Sequence, residues 1–322
     1  MDEAMIGSLI ASTLRVSTPL ILCALAGLLS ERSGVIDIGL EGKMLFAAFA
    51  AGAAGVVFNS TIIALLIAMG TTVLLSWLHG VACVSHRGDQ VVSGVAINII
   101  AVGMTAVLGI AWFSQGGQTP SVSNEVRMQT LIPGAVAALA EVPIVGVVIG
   151  QGLLSHNIMV YLALLLVPSV WWLLYRTRFG LRLRAVGENA HMVDAAGVSV
   201  SRMRYAALTL NGMLCGLAGS YLVLAQNAAF VPNMTAGRGF MALAAMIFGK
   251  WHPVGALWAC LLFGFLDAVA IRLQGVALPG IGLVPVQAIQ ALPYLLTVIL
   301  LAGFIGRTLA PQALGKPYLK ER

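Results

Sequence analysis

The sequence predicts an all-α polytopic membrane protein of eight to ten transmembrane helices, and three observations carry that prediction. Of the 322 residues, 59% are hydrophobic and only 9% are charged, against roughly 25% charged in a soluble domain. The mean hydropathy is +0.95. Apolar runs of the length a bilayer requires, about 17–25 residues, recur along the whole chain. A soluble enzyme or binding module is excluded on these grounds.

The first run, 5–29, follows an acidic start (MDEAMIGSLIAS) that lacks a basic leader and a small-residue cleavage site, so it is expected to remain as a membrane helix. Runs follow at 44–58, which is short, then at 61–84, 91–113, 157–175, 204–226, 254–273 and 288–306. A shorter apolar stretch, 238–249 (RGFMALAAMIFG), reads as a half-helix or a tilted span, tolerable only where protein covers its ends. Between 114 and 155 the apolar run gives way to Gly, Pro, Gln and Ser, an outer loop that can fold back on the membrane through 143–150. No segment holds a separate domain core, so 1–322 reads as one transmembrane domain.

The loop 176–204 carries Arg176, Arg178, Arg182, Arg184, Arg202 and Arg204 against Glu188 and Asp194, which places it in the cytoplasm by the positive-inside rule. Counting 238–249 as a crossing then puts fourteen of the eighteen cations on that side, with the N-terminus outside and the C-terminus inside. Within the loop, Asn189 is an N-cap, AHMVDAA contains good helix formers and Gly197 stands where a glycine ends a helix. Such a helix is either a docking handle for another protein or part of an ordinary loop facing lipid phosphates. The basic residues sit at segment ends rather than on a stripe, which fits anionic lipid and not nucleic acid.

NGMLCGLAG places Gly212, Gly216 and Gly219 at helical spacing, a pattern that lets membrane helices approach closely. Cys23, Cys83, Cys215 and Cys260 each lie in an apolar run without paired or metal-type spacing, so no disulfide and no metal site is expected. EGKMLFAAFAAG and GRGFMALAAMIFG share a glycine and a cation followed by small apolar residues. In the topology above they start from opposite sides, as an inverted repeat would.

Asp267 lies two-thirds along a span, where an unpaired carboxylate costs about 2.5–3.5 kcal/mol on the insertion scale; it marks a polar network or a wet pathway. Asn98, Asn211 and Gln226 supply amides at or near membrane depth, and Tyr221 and Phe240 supply flat faces. Asn98, Asn211 and Phe240 are the first choices for a solute path, together able to grip a polar, ring-bearing solute. Singly, each is better read as a helix-packing hydrogen bond or an interfacial aromatic. The chain has no G-x-x-x-x-G-K-S/T loop, no HExxH and no nucleophile elbow. It is therefore expected to hydrolyse nothing and to need no cofactor; active transport would draw on ions or on a partner.

Several blocks carry a resemblance. LSERSGVIDIGLEGKMLFAAFAA, DQVVSGVAINIIAVGMT, FGLRLRAVGENAHMVDAAGVSVSRMRY and GRGFMALAAMIFGKWHPVGALWACLLFGFLDAVAIRLQ occur in that order. Together they resemble the ABC-importer permeases of the branched-chain amino acid, ribose and nucleoside class. FGFLDAVAIRLQ and the ending ALGKPY are most similar to permeases serving Bmp-type receptors for nucleosides; Asp37 departs from the asparagine usual in NIGLEG. The resemblance implies that 187–197 is a coupling helix entering a cleft on a cytoplasmic ATPase, with Gly187, Glu188, Asn189, His191, Asp194, Ala196 and Gly197 at the contact. It further implies a second, similar but non-identical permease, a substrate-binding lipoprotein receptor and a bacterial inner-membrane location. Alternating access would follow from ATP-driven movement of the coupling helix, with the solute a nucleoside first, then a sugar or a branched-chain amino acid. An ion-coupled secondary transporter and a membrane scaffold are the other classes.

Overall fold

The structure, a computed structural model, describes residues 3–134, 146–273, 277–278, 282–283, 291, 295 and 310–320. Its helices are α1 (Glu3–Arg32), α2 (Leu40–Phe58), α3 (Thr61–Gly80), α4 (Gln90–Phe113), α5 (Ile158–Arg176), α6 (Arg178–Glu188), α7 (Ala190–Ala195), α8 (Val200–Tyr221), α9 (Arg238–Phe248) and α10 (Pro253–Leu273). π-helical turns extend α3 through Val81–Ser85 and α8 through Leu222–Asn227, and a π-helical segment covers Gly146–Leu154. Two-residue strands, β1 (Ala277–Leu278) and β2 (Gly282–Leu283), pair antiparallel. Among the described residues seven helices are long and apolar enough to cross a membrane, and they coincide with the first seven expected runs. The eighth, 288–306, lies outside the described residues.

Local sequence explains where the helices begin. Ser60, Asp89, Asn157, Thr177, Asn189 and Ser199 each accept a hydrogen bond from a first-turn amide of the helix that follows, satisfying donors the helix cannot pair itself. In α8, a Cβ on Gly212 would meet the backbone of Val73 at 2.7 Å, and one on Gly216 that of Met69 at 2.6 Å. Glycine at both positions is what allows α8 to lie against α3, the close approach that substitutes for a hydrophobic driving force in lipid.

Proline at position 19 removes an amide from inside α1 and leaves the Arg15 carbonyl, four residues back, without its helical donor. The Tyr221 hydroxyl, at 3.2 Å, and the Gln226 amide, at 3.0 Å, donate to that carbonyl. The break in α1 is thus repaired from the far end of α8, as burial in lipid requires.

The stretch around α9 crosses the bundle in two halves. At one end the Val122 amide donates to Ala228 O at 2.7 Å and the Phe230 amide to Thr119 Oγ1 at 2.9 Å. From there 228–237 runs in turns, with Phe230 and Thr235 buried, and α9 completes the passage. At the other end Arg32 Nε donates to Trp251 O at 2.9 Å and Trp251 Nε1 to Glu31 Oε2 at 2.6 Å. α2 and α9 start side by side and run apart, α2 ending beside Ser123 through Asn59 and α9 ending at Arg32. The two blocks thus start together within the bundle and diverge, and not from opposite sides as the sequence topology placed them. Of the stretch 143–150 expected to fold back, 143–145 lie outside the described residues and 146–150 belong to the π-helical segment, which packs on α1 with Gly152 against Ile10.

Candidate functional site

Two regions collect the chemistry. The first is at the end of the bundle that carries Arg32 and 176–204. There α7 is one exposed turn-and-a-half held by caps at both ends: Asn189 Oδ1 accepts from Met192 N at 3.1 Å, and Gly197 sits at φ +81° with its amide donating to Asp194 O at 2.8 Å. The left-handed conformation is the reason for glycine there. Ala190 and Val193 face the core, whereas His191, Met192, Ala195, Ala196 and Gly197 face outward. Met192 is 70% exposed, an apolar knob on a basic surface. Sequence reasoning passed over it, although a methionine three residues after an N-cap in a basic loop was the available signal.

The C-terminal stretch 310–320 binds this region from below. Ala313 N donates to Gly187 O at 2.8 Å, Gln312 N to Glu188 Oε2 at 3.5 Å, and Gly315 N to Gly34 O at 3.1 Å. The rings of His191 and Tyr318 lie 5.3 Å apart. Gly187 is buried against the Arg32 carbonyl, so the 187–197 stretch, the end of α1 and the tail form one connected body. Of the sequence-predicted docking residues, Gly187 is buried in this body and Asp194 half-buried. Glu188, Asn189, His191, Ala196 and Gly197 are exposed.

The second region is where α2, α4 and α9 meet. A cavity of about 430 Å³ is lined by Glu41, Leu45, Asn98, Ile99, Val102, Asn233, Thr235 and Phe240, among others. Asn98 and Phe240, two of the residues chosen from sequence, come together here. Asn98 is already committed, accepting from Gly42 N at 2.7 Å and donating to Ile38 O at 3.1 Å. Glu41, which sequence reasoning missed, accepts from Gly237 N at 2.8 Å and Gly239 N at 2.6 Å. It thereby fills the amide-rich start of α9 with a carboxylate of the chain itself. With those polar atoms turned to backbone, the exposed wall is chiefly apolar.

Behind this cavity lies a fully buried ion pair. Lys43 binds Asp37 and donates to Asn211 Oδ1 at 3.0 Å, and Ser76 Oγ donates to the same oxygen at 3.1 Å. Gly39 N donates to Asp37 Oδ1 at 3.1 Å. The linker 33–39 is anchored further by Gln90 Oε1, which accepts from Ile36 N at 2.7 Å, and by His79 Nε2, 2.9 Å from Ile36 O. Burial pushes the Asp37 carboxyl up; the charges of Lys43 and His79, with the bonds from Lys43 and Gly39 N, outweigh it and hold the group below the ordinary carboxylate range. Asp37 in place of asparagine is therefore explained by Lys43, and Lys43 is a compensated buried charge and not an interfacial one.

The remaining predicted path residues lie elsewhere. Asn211 is buried in the ion-pair cluster, and Tyr221 and Gln226 serve the Arg15 carbonyl. Asp267 is half-buried in α10; Arg272, five residues on, binds Met5 O at 3.1 Å and Ser8 Oγ at 2.7 Å instead. Among the described residues no cluster of His, Cys, Asp or Glu could hold a metal.

Residues 9–303 match the family described as "Branched-chain amino acid transport system / permease component". The guanosine ABC transporter permease protein NupQ of Bacillus subtilis is 40% identical over 99% of this chain and 99% of its own. The nucleoside ABC transporter permease protein NupC of Lactococcus lactis subsp. cremoris is 36% identical over 98% and 97%. A Haloferax volcanii permease whose name proposes glucose, TsgC13, is 33% identical over 97% and 98%. No solved structure matches the chain. The family match over most of the chain, the seven membrane helices and the full-length likeness to ABC permeases together show that this multi-pass membrane protein belongs to the permease family of branched-chain amino acid transport systems, as a transport subunit without enzymatic chemistry of its own.

Proposed function

We propose that the chain is the membrane subunit of an ATP-driven nucleoside importer, working with a cytoplasmic ATP-binding subunit, a second homologous permease and an outer substrate-binding receptor. The observation that carries the reading is α7: a helix capped at both ends, presenting Met192 and Ala196 outward at the basic end of the bundle. A stiff handle with an apolar knob suits insertion into a partner's cleft, and the neighbouring Gly187 at the end of α6, packed on the Arg32 carbonyl, transmits partner movement to α1. The chain makes and breaks no covalent bond, so all coupling comes from contacts that differ between the two access states.

The solute path in this reading passes the cavity at the α2–α9 junction, whose volume falls within the roughly 300–1,000 Å³ of small-molecule sites. Glu41 already occupies the start of α9, which would otherwise suit a carboxylate. A neutral solute is thereby favoured over an amino acid, in line with the nucleoside names of two relatives. A sugar is the second reading, on the strength of the third.

Phe240, 47% exposed at the cavity, supplies the stacking face. Stacking of a base on an aromatic ring is worth roughly 1–3 kcal/mol, so Phe240→Ala should raise the half-saturating concentration for transport about fivefold or more while receptor binding is unchanged. Tyr221→Phe, remote from the cavity lining, should leave that concentration at its wild-type value. Equal effects of both substitutions, or none from Phe240→Ala, would remove the site from the path; competition by glucose but not by nucleosides would move the assignment to a sugar.

A further inference from the structure

Beneath α7 lies a second cavity, of about 300 Å³, between the start of that helix and the tail: Glu188, Asn189 and His191 on one side, Gln312, Lys316 and Tyr318 on the other. Arg204, from the first turn of α8, also lines it. Its side chain is 1% exposed. Nη2 donates to Lys316 O at 3.3 Å, while Nε has no partner. No carboxylate pairs with the guanidinium among the described residues, where Lys43–Asp37 is the ion pair observed. Glu188, the acid that lines the same cavity, takes its bond from Gln312 N instead.

A guanidinium withdrawn from water without a counter-charge is costly, and the cost is removed when a hydrogen-bonded anion arrives. Lys316 adds an exposed cation at the rim. The socket opens beside the exposed face of α7, so a protein seated on that helix reaches it.

We propose that this cavity is a socket for a carboxylate side chain, Asp or Glu, of the ATP-binding partner, with Arg204 as its counter-charge. The inference rests on α7 being the docking helix and adds to it an electrostatic lock beside the apolar knob. Met192 supplies shape, and Arg204 fixes register, because a charge pair rejects a partner that lacks the acid.

The test is a binding titration of the detergent-solubilised full chain against the ATP-binding subunit. Arg204→Gln should weaken association about tenfold, and Arg204→Lys should recover part of the loss. Lys316→Glu changes an exposed side chain and so keeps the fold; it should weaken association too, with an effect that shrinks as salt is raised. Neutralising the partner's acids one at a time should reveal one whose loss weakens the wild type but adds nothing to Arg204→Gln. Wild-type affinity in both Arg204→Gln and Lys316→Glu would overturn the socket. So would strictly additive effects for every partner acid. Arg204-dependent binding of inorganic phosphate with unchanged affinity for the subunit would make it a free-anion site, and a Glu321→Gln change that alone reproduces Arg204→Gln would assign the socket to the chain's own acid. If Met192→Glu leaves association unaffected, the docking reading itself fails. If Met192→Glu weakens it and Arg204→Gln does not, only the socket fails.

Discussion

Replacing Lys43 by methionine should lower the stability of the solubilised protein by about 3–5 kcal/mol, because it leaves the Asp37 carboxylate buried without its charge partner. Both side chains are 0% exposed, so water cannot compensate. The double change Asp37→Leu with Lys43→Met should recover most of the loss, since an apolar pair of similar bulk carries no desolvation penalty. Asn211→Leu should cost about 1–3 kcal/mol, by depriving Lys43 and Ser76 of their shared acceptor. The readout is the thermal or denaturant midpoint in one detergent. A Lys43→Met protein as stable as the wild type would contradict the account of this cluster. The sign of the pH dependence follows from Asp37. Its folded value lies below the ordinary one, so its contribution is present above the unfolded value of about 3.9 and is lost only as the pH falls through the lower folded value.

The second large effect is expected at α7. Met192→Glu places a charge on the 70% exposed knob, and loss of an apolar anchor at a protein interface costs about 2 kcal/mol or more. Association with the ATP-binding subunit should weaken by roughly 30-fold, and solute should no longer stimulate ATP hydrolysis. Ala196→Glu should act in the same direction. Gly197→Val should act through the helix end, at about 1 kcal/mol or more, because valine resists the left-handed conformation at φ +81°. Each variant should still insert in the membrane, since the side chains changed are exposed. Solute-stimulated hydrolysis at the wild-type rate in all three would show that α7 is not the contact.

The features legible in the sequence are those whose cause is local. Seven spans were found because a bilayer sets the length of an apolar run, and 40–58 was trimmed to 44–58 only because Glu41 and Lys43 interrupt it. The caps of α7 were legible because Asn189 binds an amide three residues on and Gly197 owes its identity to its own backbone angle. The roles that escaped depend on partners far along the chain. Asn211 meets Lys43 across 168 residues, and Tyr221 meets the Arg15 carbonyl across 206. Both were named as path residues beside a packing reading, which had no visible partner to decide for it. Pro19 did carry a signal for the second, since a proline inside a membrane helix frees a carbonyl that something must satisfy. Glu41 was present in the quoted GLEG block, yet its task is set by Gly237 and Gly239, whose approach no local pattern encodes. The half-helix at 238–249 was legible, but the non-helical half of the crossing escaped, because 228–237 is held by Thr119 and Val122 rather than by its own helix.

The measurement that bears most directly on the central claim is uptake of labelled guanosine into proteoliposomes containing this chain, its ATP-binding subunit, the second permease and the receptor. The account predicts uptake that requires ATP, continues when ion gradients are collapsed, and disappears with Met192→Glu. Uptake that follows an imposed ion gradient and proceeds without the ATP-binding subunit would contradict it.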